Sequence, residues 1–325
     1  MAGSAEPGAV AVVIGQIEVT GAKSNEPARA RDLLETLDIE GSTVTPDALH
    51  TVKATAELIH RWNDVHMRDF TVVSLNLCVG FRNRLPALPE RAPAIGAVLE
   101  ESGADAVLLQ EVWTRGAIRA IRDCLPSYRS RIWKSGLAIC SREPIGEPSF
   151  RRFSGVPAGH RSQVIRAGLG RWFRGLLTVR TTSGILLGTT QLTSNRDGDW
   201  SAQNRHFRMQ RGQLAAVHEA MDAAGPAPLR VLGGDFNLAA DGALYQRITD
   251  GGSWMDPFAG DPRATFRVEC LPAGSKAHRI DYLLLRGDRF AVTRTGLLFT
   301  EPATEVRHLL SDHAAPLVRI KLGRV

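Results

Sequence analysis

The stretch Val231-Leu232-Gly233-Gly234-Asp235-Phe236-Asn237-Leu238 organises the reading of the whole chain. A short apolar run of this kind is what a buried strand requires. The two glycines are expected to let the backbone leave the sheet tightly, which places Asp235 and Asn237 together at a strand's carboxyl end. Residues two apart on an extended chain point to the same side. A carboxylate that takes a proton and an amide that donates a hydrogen bond would then converge on one substrate group. The plainer alternative is a Gly-Asp-Asn turn with no chemistry, and the stretch alone does not separate the two.

Its neighbours in the chain repeat the arrangement. Residues 70–77 read as a strand containing Asn76, 88–101 as a helix with Ile95, Val98 and Leu99 inward, and 105–111 as a buried strand ending on Glu111. A helix over 114–125, a strand over 136–141 and a hairpin of 175–181 with 185–190 follow, the last turning at Thr182-Ser183-Gly184 and leading to Gln191. After a polar loop over 194–200, a long helix is expected from 202 to 223. Beyond the Asp235 strand come strands at 279–285, 296–300 and 315–321, with Ser311-Asp312-His313 between the last two. Strands outnumber helices, and both crossovers and hairpins connect them. The pattern specifies an α/β (α+β) domain of two sheets packed face to face and covered by helices.

Asp281 interrupts the apolar run Ile280 to Leu285. A carboxylate there is costly unless paired. His313 would hold it in a functional site, because a carboxylate fixes an imidazole's tautomer and stabilises its charged form. Arg279 or another Arg would hold it in a structural one. Taken together, Asn76, Glu111, Asp235, Asn237, Asp281, Asp312 and His313 form an oxygen-rich set with one imidazole, which suits a hard cation such as Mg2+ and argues against zinc.

Composition bounds what such a site could belong to. At 325 residues, 43% hydrophobic and 23% charged, the chain is globular and has apolar residues enough for a large core. The net charge of +6 suits an anionic substrate, and equally describes a solvated, Arg-rich surface. Cys78, Cys124, Cys140 and Cys270 lack paired spacing and read as reduced core residues. The amino terminus has no basic leader, and the apolar run over 9–14 is too short for an export signal or a membrane span, so the expectation is a soluble, cytoplasmic protein without a transmembrane segment. No obligate protein partner is expected.

Five motifs in order, Ser74-Leu-Asn76, Leu109-Gln-Glu-Val-Trp113, Gly234-Asp-Phe-Asn237, Arg279-Ile-Asp-Tyr282 and Ser311-Asp-His313, resemble the endonuclease/exonuclease/phosphatase superfamily of metal-dependent phosphoesterases over about residues 70 to 325. Within it, Gln110-Glu-Val-Trp113, the run from Ser135 to Ile145 and Arg279-Ile-Asp-Tyr282 look most like neutral sphingomyelinases. The resemblance implies a four-layer αββα sandwich with the site at the top of two mixed sheets. It implies that Glu111, with Asn76 and Asp312, holds Mg2+, with Mn2+ as the alternative ion. Asn237 would orient Asp235 and donate to the phosphate, while Asp235 and an Asp281-held His313 would manage the protons of hydrolysis. The implied substrate is a phosphodiester, in a phospholipid or in a nucleic acid.

Two positions depart from that pattern. Where most members end a strand on Thr-His-Leu, this chain has Thr190-Gln191-Leu192. Gln191 can donate to a phosphate oxygen but carries no charge, so a slow enzyme, a changed substrate and a lost activity all stand as readings. Cys78 stands where many nuclease members are acidic, which favours the lipid-active branch. Trp172-Phe173 is the candidate apolar rim for a membrane, with core burial as the plainer reading.

The first 66 residues are read as a separate βαβα appendage, with 67–325 as the catalytic domain. Ile14 to Glu26, Leu33 to Gly41 and Val44 to Thr51 resemble part of the catalytic core of DDE transposases of bacterial insertion sequences. Such an enzyme needs three acidic ligands and the segment supplies one candidate, Asp47, so it is expected to be an inactive fragment.

Overall fold

A computed structural model describes residues 67–79, 85–153, 174–195, 197–301 and 309–323. The transposase-like segment and its βαβα reading, together with Trp172 and Phe173, lie outside the described residues. The chain divides at Arg68/Asp69, and the unit Asp69–Lys321 carries the architecture that follows.

The larger sheet has six strands in the order β10-β11-β1-β2-β4-β3, built from β1 (Met67–Asn76), β2 (Ala106–Val112), β3 (Ser130–Lys134), β4 (Gly136–Ser141), β10 (Phe290–Leu298) and β11 (Ala315–Gly323). The smaller has five, in the order β5-β6-β7-β8-β9: β5 (Ser149–Arg152), β6 (Gly175–Arg180), β7 (Leu186–Gln191), β8 (Leu229–Asp235) and β9 (Asp281–Gly287). Both are mixed: β1 runs parallel to β2 and β7 to β8, while β4 and β9 join antiparallel. Strands β2 and β4 face β6, β7 and β8 across the interior.

Alternation decides which side chain goes to which layer. Val73, Leu75, Val107 and Leu109 pack on Leu88, Ile95 and Leu99 of α1 (Leu88–Glu101) and on Ala117 and Ile121 of α2 (Arg115–Asp123). On the opposite outer face, Leu176, Leu186, Leu232 and Leu284 meet Leu214, Val217 and Met221 of α3 (Phe207–Ala223). The result is the expected four-layer αββα sandwich. Among the described residues no helix is long and apolar enough to cross a membrane.

Several boundaries differ from the sequence reading, each for a local reason. Strands β3 and β5 were not expected: they lie at sheet edges, carry Arg and Lys, and leave most of their residues partly or fully exposed, so no apolar run marks them. The edge strand β10 begins at Phe290 rather than 296 for the same reason. Helix α3 starts at Phe207 rather than 202, because Ser201 to Asn204 are taken up in turns held by Asp199 and Asn204 side chains. Both glycines of the opening stretch belong to β8 itself and do not form its exit. A Cβ on Gly234, at φ +150, would stand 2.0 Å from the Thr190 carbonyl oxygen of β7, and one on Gly233 would stand 2.6 Å from Leu108 of the facing sheet. They permit close approach within and between sheets. Of the cysteines, Cys78 and Cys140 are buried as expected; Cys124 is half-buried and Cys270 is exposed in a 3-10 turn (Val268–Cys270), so these two are not core residues as read from the sequence; none forms a disulfide.

Candidate functional site

The expected polar residues converge where β1, β2, β7 and β8 end and where β9 and β11 begin. Two backbone features aim them. Gln110 and Val112 of β2 flank a bulge at which Glu111 takes φ +65, and the chain beyond β8 turns at Asn237 with φ +51. Left-handed backbone is unfavourable for a side-chain-bearing residue, and such strain gathers at functional sites. At Glu111 it breaks the alternation that would send the carboxylate toward the helix layer. At Asn237 it corrects the sequence argument: the residue meets Asp235 through a tight turn, its N–H donating to Asp235 Oδ1 at 2.9 Å, and not through strand alternation.

Asp281 is partnered by His313, whose Nδ1 lies 2.8 Å from Asp281 Oδ2 with both side chains buried. The alternative Arg279 turns away to Asp256, at 2.7 Å. Burial, the largest single influence on His313, disfavours its charge. Asp281 by charge and by hydrogen bond, with Asp235 and Asp312 by charge, overcomes it and lifts the imidazole's pKa to about 10. Asp235 is raised to about 6, first by burial and then by Asp281 and Glu111, against the lowering pull of His313 and a Gln191 hydrogen bond. Near neutral pH the pair therefore offers a charged donor beside a carboxylate acceptor. The Nε2 of His313 stands 3.8 Å from Asp312 Oδ1, beyond hydrogen-bond range, so that proton is uncommitted.

Asp235 is held by amides. Asn237 Nδ2 donates to its Oδ2 at 2.8 Å, Asn76 Nδ2 at 3.0 Å and Gln191 Nε2 at 3.3 Å. Asn237 also reaches the Leu192 carbonyl, at 3.1 Å, so both its amide hydrogens are engaged in orienting Asp235 and the loop. Gln191 bridges to Glu111 as well, at 3.0 Å, placing a neutral donor between two carboxylates.

Glu111, half-buried, accepts Val79 N–H at 3.0 Å on its other oxygen. Two oxygens of the set are buried without donors: Gln191 Oε1, on the amide that bridges to Glu111, and Asp312 Oδ1, near His313 Nε2. Orphaned oxygens beside a carboxylate and an amide fit a hard divalent cation, which takes oxygen ligands. Asp235, Asp281 and His313 also bring one potential ligand atom each within 4.8 Å of one another. That grouping suits a metal less well, since an imidazole held charged by Asp281 has no lone pair to give.

Sequence reasoning missed Arg91, Thr265 and Gln210, which support this cluster, and quoted Ser311 only as part of a motif, without its role. Arg91 of α1 is buried and donates to the carbonyls of Leu77, Cys78, Pro86 and Leu310, tying the exit of β1 to the approach of His313. Its position on the apolar face with Leu88, Ala92 and Ile95 was the available signal. Ser311 Oγ donates to the Asn76 carbonyl at 2.6 Å and accepts His313 N–H at 3.1 Å. Thr265 Oγ1 accepts the N–H groups of Ile280 and Asp281, at 2.9 and 3.0 Å, and its carbonyl takes Ala314 N–H at 2.7 Å, clasping the Asp281 strand to the His313 segment. Gln210 of α3 donates to the carbonyls of Thr193 and Asn237. Thr265 and Gln210 act through single hydroxyl or amide groups in irregular or mixed context, which no periodicity reveals.

A family model described as Endonuclease/Exonuclease/phosphatase family matches residues 73–313. No curated protein sequence matches the chain. Among solved structures, D. rerio TDP2 complexed with single strand DNA product is similar at 17% identity and TM-score 0.59, covering 78% of this chain and 98% of that one. Truncated Caenorhabditis elegans TDP2 gives 20% and 0.58, with 78% and 97% covered. Sphingomyelinase C from Streptomyces griseocarneus gives 16% and 0.58, with 78% and 99% covered.

Proposed function

The chain belongs to the Endonuclease/Exonuclease/phosphatase family, and from that premise we propose that it is a Mg2+-dependent phosphodiester hydrolase, acting on a phospholipid of the sphingomyelin type. Members of the family are hydrolytic phosphoesterases and typically need a divalent metal. The observation that carries the reading is the buried Asp281–His313 pair beside a raised Asp235, next to the oxygen cluster around Glu111.

Glu111, Asn76 and Asp312 would hold the ion, with Mn2+ as a substitute. Bound there, it would supply positive charge against the charge building on the phosphoryl oxygens. The chain's own groups do the rest. Asp235 accepts a proton from the attacking water as its oxygen bonds to phosphorus. His313, kept charged by Asp281, donates to the phosphate and gives its proton to the oxygen that leaves as the ester bond breaks. Water and diester thus become monoester and alcohol, with no redox change. Asn237 holds Asp235 in line, and Gln191 rotates from its carboxylate bridge to donate to a phosphoryl oxygen.

A lipid substrate is supported by the sphingomyelinase-like motifs and by Cys78 in place of an acid. A nuclease is the second reading, favoured by the +6 net charge and by a similar fold solved with single strand DNA product. The purified chain, with Mg2+ or with chelator, is offered sphingomyelin vesicles and supercoiled DNA. Vesicle hydrolysis that stops with chelator supports the first reading; nicking of DNA that falls steeply with salt, as several phosphate contacts require, supports the second. Turnover of neither substrate, nor of bis-nitrophenyl phosphate, would leave the chain as a catalytically silent member or fusion, the reading that Gln191 and the transposase-like segment favour.

A further inference from the structure

Resting on that reading, the candidate site has two halves borne by different sheets. Asn76 and Glu111 come from β1 and β2, and Gln191 and Asp235 from β7 and β8. Their separation must be held to a fraction of an ångström for one phosphate to meet both. We propose that Gln110 is the positioning residue that sets it, through a cross-sheet hydrogen bond one layer beneath the site.

Gln110 is fully buried and points between the sheets, while the bulge after it turns Glu111 up into the pocket. Its Nε2 lies 3.2 Å from Ser74 Oγ, 3.2 Å from the Leu108 carbonyl and 3.0 Å from Thr189 Oγ1 of the opposite sheet. The Leu108 carbonyl fixes the amide's orientation, because a flipped side chain would set two oxygens against each other. Each participant stands directly below a site residue: Ser74 two before Asn76, Gln110 one before Glu111, Thr189 two before Gln191. Gly233, two before Asp235, completes the layer. A Cβ there would stand 2.6 Å from Leu108 and 3.4 Å from Ser74, so a side chain at that position would wedge the sheets apart.

The other end of the amide argues for placement over stability. Gln110 Oε1 is buried without a hydrogen-bond partner, a cost that an apolar side chain of equal size would not carry. A residue kept only to join the layers would be better apolar. One that must hold a given spacing between polar half-sites needs a directional bond.

Gln110→Met keeps the volume and removes the amide. With bis-nitrophenyl phosphate and Mg2+, kcat is expected to fall by about tenfold to a hundredfold, with KM within about twofold and a thermal midpoint equal to or above the parent's. Thr189→Val cuts the same bond from the other sheet and carries the same expectation should Gln110→Met not fold. The double variant loses no more than Gln110→Met alone, because the cross-sheet bond that Thr189→Val cuts is already gone with the amide. Unchanged kcat in the singles, additive losses in the double, or a kcat loss that only tracks lost stability would overturn the proposal. A readout free of turnover separates it from the hydrolase reading. In a crystal structure of Gln110→Met, the Asn76–Asp235 and Gln191–Glu111 contacts, both 3.0 Å in the parent, open. Contacts that stay closed refute the tie. Contacts that open in a chain whose parent hydrolyses nothing leave the tie standing and remove the hydrolase.

Discussion

Two buried ion pairs sit side by side where the chain enters β9, and only one has its carboxylate fully engaged in the fold. Arg279 and Asp256 are closed on each other: two guanidinium–carboxylate contacts, at 2.7 and 3.3 Å, a Tyr245 hydroxyl on the same carboxylate at 2.8 Å, and the Tyr282 ring 4.7 Å from the guanidinium. Asp281 and His313, two residues along, are buried to the same degree, with side chains 1% and 5% exposed in both pairs. Yet His313 keeps one N–H uncommitted and a second carboxylate, Asp235, close by. Equal burial therefore separates into a pair whose carboxylate is spent on the fold, with only the untransferable Arg279 Nε–H left over, and a pair with a transferable proton beside a second carboxylate.

The sharpest way to break this comparison is to remove one acceptor from each side. Asp235→Asn is expected to lower kcat by about a thousandfold, the middle of the range for a lost proton-transfer group. Its unfolding free energy at neutral pH should hold or rise, because burial had made the ionised carboxylate unfavourable. Asp256→Ala should do the reverse, costing about 3 kcal/mol by stranding Arg279, measured by urea unfolding, while the folded fraction keeps its kcat within about tenfold. Swapped outcomes would mean the two pairs have been assigned to the wrong roles.

A pH series in chelator sharpens the contrast at His313. Its folded pKa, about 10, lies above the ordinary histidine value of 6.5. Its contribution is therefore fully present below about pH 6.5 and is lost as pH rises toward 10. Between pH 7 and 9 the parent should lose stability with a slope of at most about 1.4 kcal/mol per pH unit from this one proton. His313→Gln should be flatter across the same window, and an identical slope in both proteins would detach His313 from the linkage.

The smallest effect concerns Gln191. A charged donor is roughly twice as strong as a neutral one, so Gln191→His is expected to raise turnover about tenfold at most, read as kcat on bis-nitrophenyl phosphate. An unchanged or lower rate would mean Gln191 is matched to its own substrate and that its bridge between Glu111 and Asp235 matters more than the missing charge.

How much of this was legible in the sequence follows from where each signal resides. A lone carboxylate inside Ile280 to Leu285 announces a buried partner, and strand ends marked by Asn76, Glu111 and Asp235 announce a common rim, because apolar runs print their boundaries. The pairing of Asp281 with His313 is implied by the family resemblance, but what draws Arg279 away is not legible. It depends on Asp256, which sits in a loop with no pattern of its own. The edge strands β3 and β5 were invisible because half-exposed strands rich in Arg do not alternate cleanly. The glycines of β8 read as a tight exit from the sheet, since sequence shows freedom of backbone but not the neighbouring strand that demands it. The left-handed turns at Glu111 and Asn237 are set by tertiary packing, which overrides local preference.

The central claim is that the residues around Glu111 and the Asp235–His313 pair form one hydrolytic pocket. It is tested most directly by following bis-nitrophenyl phosphate with the parent chain in Mg2+, then in excess chelator, then with Mg2+ restored. Turnover that disappears with chelator and returns with the ion is the expected result. Turnover that persists at the same rate in chelator would contradict it.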